Sequence, residues 1–342
     1  MGQRNTWASV RSDTRGASLV EYIVLVGLVA LVALGGFRAF GAAALDKVNA
    51  QADCVATFSC GPGNPQGAGP AVGTDGAAVT AGDPFVGNPP FGDIGAANQH
   101  TAIPGQPTII GEGDGTAVHP NDISQGQLGD CYLLASMGAI ALQNRSIIEN
   151  AIRDNGDGTY TVTFYQRNNH PGWQFWKSDY DKVEITVNNE FATDANGNPV
   201  FAQPGDGEAG NRELWPMIVE KAYAQWKGGY QQIGHGGWMA EPLEALTGQP
   251  SRSSGGDMSM EDLANAFDNG DAVTVGTGDP NGPLFDNGTL VGAHAYFVTN
   301  VDRGNNTVTL HNPWGWDRGD ITITYQQYVD HFIGYATNPA DD

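Results

Sequence analysis

Cys131 closes the run Gln125-Gly-Gln-Leu-Gly-Asp-Cys131 and opens the apolar run Tyr132-Leu-Leu-Ala-Ser136. A thiol in the first turn of a helix meets free backbone N–H groups and the positive end of the helix dipole, both of which favour the thiolate. A histidine and an asparagine follow in chain order, each in a strand-like setting: Gly292-Ala-His294-Ala-Tyr-Phe-Val-Thr299 and Leu310-His-Asn312-Pro-Trp314-Gly315. A thiolate can attack a carbonyl, and an imidazole can move the proton. A neutral amide can hold the ring without adding charge. Cysteine, histidine and asparagine in this order therefore suit acyl transfer through a thioester. His100, His119, His170, His311 and His331 lack metal-ligand spacing, so no zinc site is expected, and His235 in Gly234-His-Gly-Gly reads as loop.

Four segments carry a more specific signal. They are 125–136, 213–230 (ELWPMIVEKAYAQWKGGY), 292–301 (GAHAYFVTNV) and 311–316 (HNPWGW). In this order they resemble the main signatures of the calpain cysteine-protease core, over roughly residues 114–342. The resemblance implies an α+β, papain-like core of two lobes. A helical lobe over 114–245 would carry Cys131, and an antiparallel β lobe over 246–342 would carry His294 and Asn312. A polypeptide substrate would lie in the cleft between them.

By the same resemblance, Cys131 is the nucleophile, His294 its proton partner and Asn312 the orienting amide. The side-chain N–H of Gln125 and the backbone N–H of Cys131 are the oxyanion donors. Trp314 matches a family tryptophan that shields the imidazole–amide pair, and Tyr132 replaces the usual tryptophan after the cysteine. Animal calpains hold two calcium ions in this core. Asp122 and Glu220 match ligands of the first calcium site. The acidic pattern of the second is not clearly reproduced: Trp316-Asp-Arg-Gly-Asp320 stands in its place. Calcium (Ca2+) binding stays open, and no organic cofactor is implied. Two other activities fit the same residues: an inert binding module with this fold, and cross-linking, in which an amine replaces water.

The elements that must position these residues can be read along the chain. The density of apolar residues over 128–142 predicts a buried helix with Asp130 as its N-cap. Asn155-Gly-Asp-Gly158 reads as a turn before an alternating strand over 160–165. A strand over 183–187 and a hairpin over 191–201 follow. Leu214, Ile218 and Ala222 mark one face of a helix over 213–226. Beyond residue 246 come a short helix over 260–268, a strand over 272–277 and an antiparallel meander over 295–301, 307–312 and 320–325.

The chain has 38 acidic and 16 basic residues, a formal charge of −22, which would repel nucleic acid. Its first sixty residues are of another kind. An apolar stretch over 17–40 is long enough for a transmembrane helix, and Arg4, Arg11 and Arg15 before it keep the N-terminus cytoplasmic. Gly16 with Glu21-Tyr22 resembles the cleavage site of Flp-type type IV prepilins. This implies a leader over 1–16, a pilin-like helix and tail over 17–60, and prepilin peptidase and pilus assembly machinery as partners. A plain signal anchor is the other reading of this stretch. Either way the catalytic region lies outside the cytoplasm, anchored to the membrane of what reads as a bacterial protein. Cys54 and Cys60 form a disulfide in that compartment or remain two small unpaired residues. The Gly- and Pro-rich segment 61–113 reads as a tether or as a removable pro-segment.

Overall fold

The computed structural model of the protein describes residues 88–92, 99–103, 118–168, 179–205 and 212–340. The prepilin-like leader, the apolar stretch 17–40, Cys54 and Cys60 lie outside these residues. Among the described residues no helix is long and apolar enough to cross a membrane.

Helix α1 (Cys131–Gln143) is buried on every side, from Tyr132 through Ala141. A helix apolar all round is a core helix, and α1 is the centre of the first lobe. Around it lie α2 (Arg145–Ala151), α3 (Trp215–Lys227), α4 (Tyr230–Ile233) and α5 (Ala240–Thr247). Helix α3 ends on Gly228 with φ 93, a left-handed cap that a glycine adopts without strain. This lobe also carries sheet structure. Strands β2 (Ile152–Asp154), β3 (Thr159–Arg167) and β4 (Tyr180–Asn188) form an antiparallel sheet. The predicted Asn155–Gly158 turn joins its first two strands.

The expected hairpin after residue 190 is present as β5 (Glu190–Thr193) and a turn that returns at the Thr193–Pro199 bridge. Strand β5 pairs with β1 (Gln99–Ala102), which sits inside the segment read as a tether. The Gly- and Pro-rich composition hid this strand, because its order comes from pairing with β5 and not from its own pattern.

The second lobe is a six-stranded antiparallel sheet in the order β10-β9-β8-β7-β11-β6. Its strands are β6 (Arg252–Gly255), β7 (Asp271–Thr277), β8 (Ala295–Asp302), β9 (Thr307–His311), β10 (Asp320–Thr324) and β11 (Phe332–Pro339). Helix α6 (Met260–Asp268) starts at Ser259, whose hydroxyl accepts the Asp262 N–H at 3.1 Å. It packs Leu263 and Ala264 into a cluster with Val273, Val275, Tyr296 and Val298. The short α7 (Pro283–Asp286) and α8 (Tyr325–His331) complete the lobe. The predicted meander is β8-β9-β10. Strand β11, which lies between β7 and β6, has no counterpart in the sequence reading.

Candidate active site

The β8–β9 register brings the histidine and the asparagine together. Phe297 on β8 pairs with His311 on β9, so the start of one strand lies beside the end of the other. His294 immediately precedes β8 and Asn312 immediately follows β9. His294 Nε2 and Asn312 Oδ1 are 2.9 Å apart. The same oxygen accepts the Trp314 backbone N–H at 3.0 Å, which fixes the amide orientation. With Nε2 donating to that oxygen, the imidazole keeps Nδ1 for proton exchange. The His294 ring lies 5.0 Å from the Trp314 ring and 5.1 Å from that of Tyr296. Its backbone is tied to Thr277, with His294 N to Thr277 Oγ1 at 3.1 Å and Thr277 N to His294 O at 2.9 Å. Ala293, just before it, has φ 50, a left-handed conformation in which a side chain is strained and which is found at functional sites.

Cys131 begins α1 and lines the same cleft as His294, a hollow of about 150 Å³ walled also by Trp238, Met239 and Ile333. A larger hollow of about 580 Å³ beside Tyr165 and Lys182 contains no thiol, imidazole or carboxylate. The smaller one holds both Cys131 and His294. Tyr132 forms part of the cleft wall, and its ring fits there because residue 237 is glycine.

The electrostatics differ from the sequence expectation of a lowered thiol pKa. Burial pushes the Cys131 thiol up, the Ala295 backbone N–H pulls it down, and the neighbouring Asp130 carboxylate pushes it up again. Burial also lowers the His294 pKa, against the effect of Asn312. Both shifts favour the uncharged forms of the thiol and the imidazole that line this cleft.

Asp130 does not cap α1. It occupies the N-cap position, but its side chain makes no cap hydrogen bond. Its fully buried carboxyl hydrogen-bonds to the carboxyl of Glu220. Two carboxyl groups in such a contact must share a proton. Burial and the Asp130 charge hold Glu220 well above the usual carboxylate range, and burial brings Asp130 up to about 7. Gln125 is turned toward this pair: its Nε2 donates to Leu128 O at 2.6 Å and approaches Asp130 Oδ1 at 3.4 Å. It does not line the cleft.

Asp122 and Glu220, the two residues matched to a calcium site, are engaged separately. Asp122 Oδ2 accepts the Trp215 indole N–H at 2.7 Å and the His119 N–H at 2.8 Å. Glu220 Oε1 accepts the Ala202 N–H at 2.8 Å, and its carboxyl meets Asp130. Calcium takes about six to eight oxygens. In this structure both carboxylates accept N–H groups, and Glu220 also meets Asp130. Among the described residues no group of three or more His, Cys, Asp or Glu is arranged to hold a metal ion.

Sequence reasoning missed the cleft wall. Trp238 and Ile333 are exposed, at 43% and 61%, although both are large and apolar. Ile333 comes from β11 and Trp238 from the glycine-rich loop before α5. No local spacing links either of them to Cys131.

Residues 105–321 match the family model described as calpain family cysteine protease. The chain is 31% identical over 208 residues to calpain-13 of Rattus norvegicus, which covers 57% of this chain and 29% of that one. It is 30% identical over 230 residues to calpain clp-1 of Caenorhabditis elegans, covering 61% and 26%. It is 28% identical over 217 residues to the calpain-type cysteine protease DEK1 of Zea mays, covering 58% and 9%. The chain thus spans less than a third of the length of these relatives.

Proposed function

The chain belongs to the calpain family of cysteine proteases, and from that premise we propose that it is an endopeptidase that cuts polypeptides with Cys131, His294 and Asn312. The observation that carries this reading is the 2.9 Å contact between His294 Nε2 and Asn312 Oδ1 on the wall of the cleft that holds Cys131. His294 takes the thiol proton as Cys131 Sγ attacks the scissile carbonyl. The imidazolium then protonates the leaving amine, and a thioester remains. Water, activated by neutral His294, releases the acid and restores the thiol. Asn312 keeps the ring in one tautomer throughout.

The backbone N–H of Cys131 is one oxyanion donor in this scheme, and Gln125 is the second. Gln125 would serve by turning the N–H that now approaches Asp130 toward the bound carbonyl. Trp238 and Ile333 favour an apolar substrate side chain beside the scissile bond. Calcium plays no step in this scheme.

A second reading, an inert module of the same fold, draws on the present orientation of Gln125 away from the cleft. A thiol-directed peptide probe separates the two. It should label Cys131 in the wild type and not in His294→Ala, and the wild type should digest casein. Labelling without digestion supports an inert module, and transfer of label to an added amine supports cross-linking.

The proposal extends to display. Residues 17–40 form a membrane helix after cleavage at Gly16, with prepilin peptidase and the pilus machinery as partners and the catalytic lobes outside the cytoplasm. The apolar length and the preceding arginines support this. N-terminal sequencing of the mature protein tests it. A start at Ala17 supports the pilin reading, a start at Met1 a plain anchor, and a cut near residue 44 a secreted enzyme.

A further inference from the structure

We propose that the segment Asn88-Pro-Pro-Phe-Gly92 is a positioning strap for the nucleophile, and that Phe91 sets the presentation of Cys131 from outside the family-matched region. The inference rests on the protease reading above. The strap is seated by specific contacts. The Phe91 ring stacks on His100 at 4.1 Å and on Tyr230 at 5.9 Å, and meets Phe201 edge-on at 6.3 Å. Pro90 O accepts the Tyr230 N–H at 3.0 Å. Gly229, with φ 134, admits this approach; a Cβ there would lie 2.8 Å from Pro90 O.

Asn88 anchors the other end. Its Oδ1 accepts from Lys221 Nζ at 2.6 Å, and its Nδ2 donates to Glu190 Oε2 at 3.1 Å. Lys221 is fully buried and also donates to Asn188 and to the Glu190 carbonyl, so one cation ties the strap to the β4–β5 turn. Burial also holds His100 neutral, its pKa lowered to about 4, as suits a ring stacked on phenylalanine.

The rings beneath Phe91 are joined to the nucleophile turn. Phe201 and Tyr230 lie 4.6 Å apart and belong to the two walls that grip residues 126–130. On one wall, Val200 O accepts the Gln127 N–H at 2.7 Å, and Gly126 is pressed against the Val200 and Phe201 carbonyls. On the other, Gly234 N donates to Tyr230 O at 2.9 Å, Gly236 N donates to Gly129 O at 3.0 Å, and Gly234 packs on Leu128. Phe91 spans the point where the walls meet. Withdrawing it lets them separate and loosens the turn that ends at Cys131. A misplacement of about 1 Å at a reacting atom lowers rate by roughly 10²-fold.

The test uses the full chain with Phe91→Ala, Phe91→Tyr and Asn88→Ala. Three measurements are made below the melting transition of each variant: steady-state kinetics (kcat and KM) on a peptide, the rate of Cys131 alkylation followed on its own peptide, and amide exchange at Gln127 and Gly236. Phe91→Ala is expected to lower kcat roughly 10- to 100-fold with KM little changed, to alter the alkylation rate, and to speed exchange at both amides. Phe91→Tyr should restore all three, and Asn88→Ala should fall between. Wild-type kcat, alkylation and exchange in folded Phe91→Ala overturn the strap. If Phe91→Ala does not fold, wild-type values in Asn88→Ala overturn it equally. A wild type that alkylates but hydrolyses nothing defeats the protease reading, while alkylation and exchange still decide the strap.

Discussion

Gly138, in the second turn of the nucleophile's helix, packs against the ring of Phe297, three residues beyond His294. A Cβ at position 138 would lie 2.5 Å from Phe297 Cε1. This contact sets how closely α1 approaches the strand that follows the histidine. Phe297 in turn packs its ring 4.9 Å from that of His311, the neighbour of Asn312.

Gly138→Ala should therefore act on stability and on the active site together. Overpacking of this kind costs about 1–3 kcal/mol, against which the better helix propensity of alanine returns up to about 1 kcal/mol. Chemical denaturation should show net destabilisation, and kcat should fall because α1 is pushed away from β8. A variant as stable and active as the wild type would mean that Phe297 moves aside freely.

Asn312→Ala should lower kcat by roughly 10²-fold, in the range of positioned acid–base catalysis, while leaving the melting temperature within a few degrees. Cys131→Ser and His294→Ala should abolish measurable turnover. The Asn312 loss should exceed any change in KM, since the amide orients a ring and does not hold substrate. Steady-state kinetics on one peptide decides this.

The raised thiol pKa and lowered imidazole pKa make a prediction about protonation. A thiol above its ordinary range stays protonated through neutral pH, and thiolate absorbance should appear only above that ordinary range. A histidine below its ordinary range stays neutral until the pH falls below about 6.5. Activity should thus persist into mildly acidic solution and fall as His294 protonates. Thiolate absorbance at neutral pH in the free enzyme would show an ion pair already formed.

Much of this arrangement was legible in the sequence, and the reasons are local. Tyr132–Ala141 is an unbroken small and apolar run, so α1 announces itself. Leu214, Ile218 and Ala222 fall at helical spacing, and β8-β9-β10 follow one another with short turns. Strand β11 was not legible. Its burial does not alternate, it contains Gly334 and ends on Pro339, and its neighbours β7 and β6 are remote in the chain. Ile333 was hidden with it. Asp130 was misread because a carboxylate before a helix usually caps it, whereas here it is fully buried and meets the carboxyl of Glu220. The order of residues 88–92 and 99–102 comes wholly from the surface on which they lie.

Gln125→Ala tests whether the inward-turned amide also reaches the reaction. Loss of one oxyanion donor lowers kcat by roughly 10²- to 10³-fold with little change in KM. A residue that only buttresses Leu128 and Asp130 would lower stability instead, and shift kcat and KM together. Gln125→Glu adds a second discriminant. It cannot donate as a carboxylate, and it sets a third acid beside Asp130 and Glu220, so it should be less stable than Gln125→Ala.

Asp122 is predicted to be a structural acceptor. Removing its carboxylate strands the indole N–H of buried Trp215 and the N–H of His119, and an unsatisfied buried donor costs about 1–3 kcal/mol each. Asp122→Ala should therefore lower the denaturation midpoint with or without calcium. Exhaustive chelation of the wild type should leave its activity and melting temperature unchanged, because Asp122 and Glu220 turn to different partners. The contrary result is specific: a calcium-dependent rise in wild-type melting temperature that Asp122→Asn and Glu220→Gln each abolish. That would require both carboxylates to leave Trp215, His119, Ala202 and Asp130 and converge on one ion.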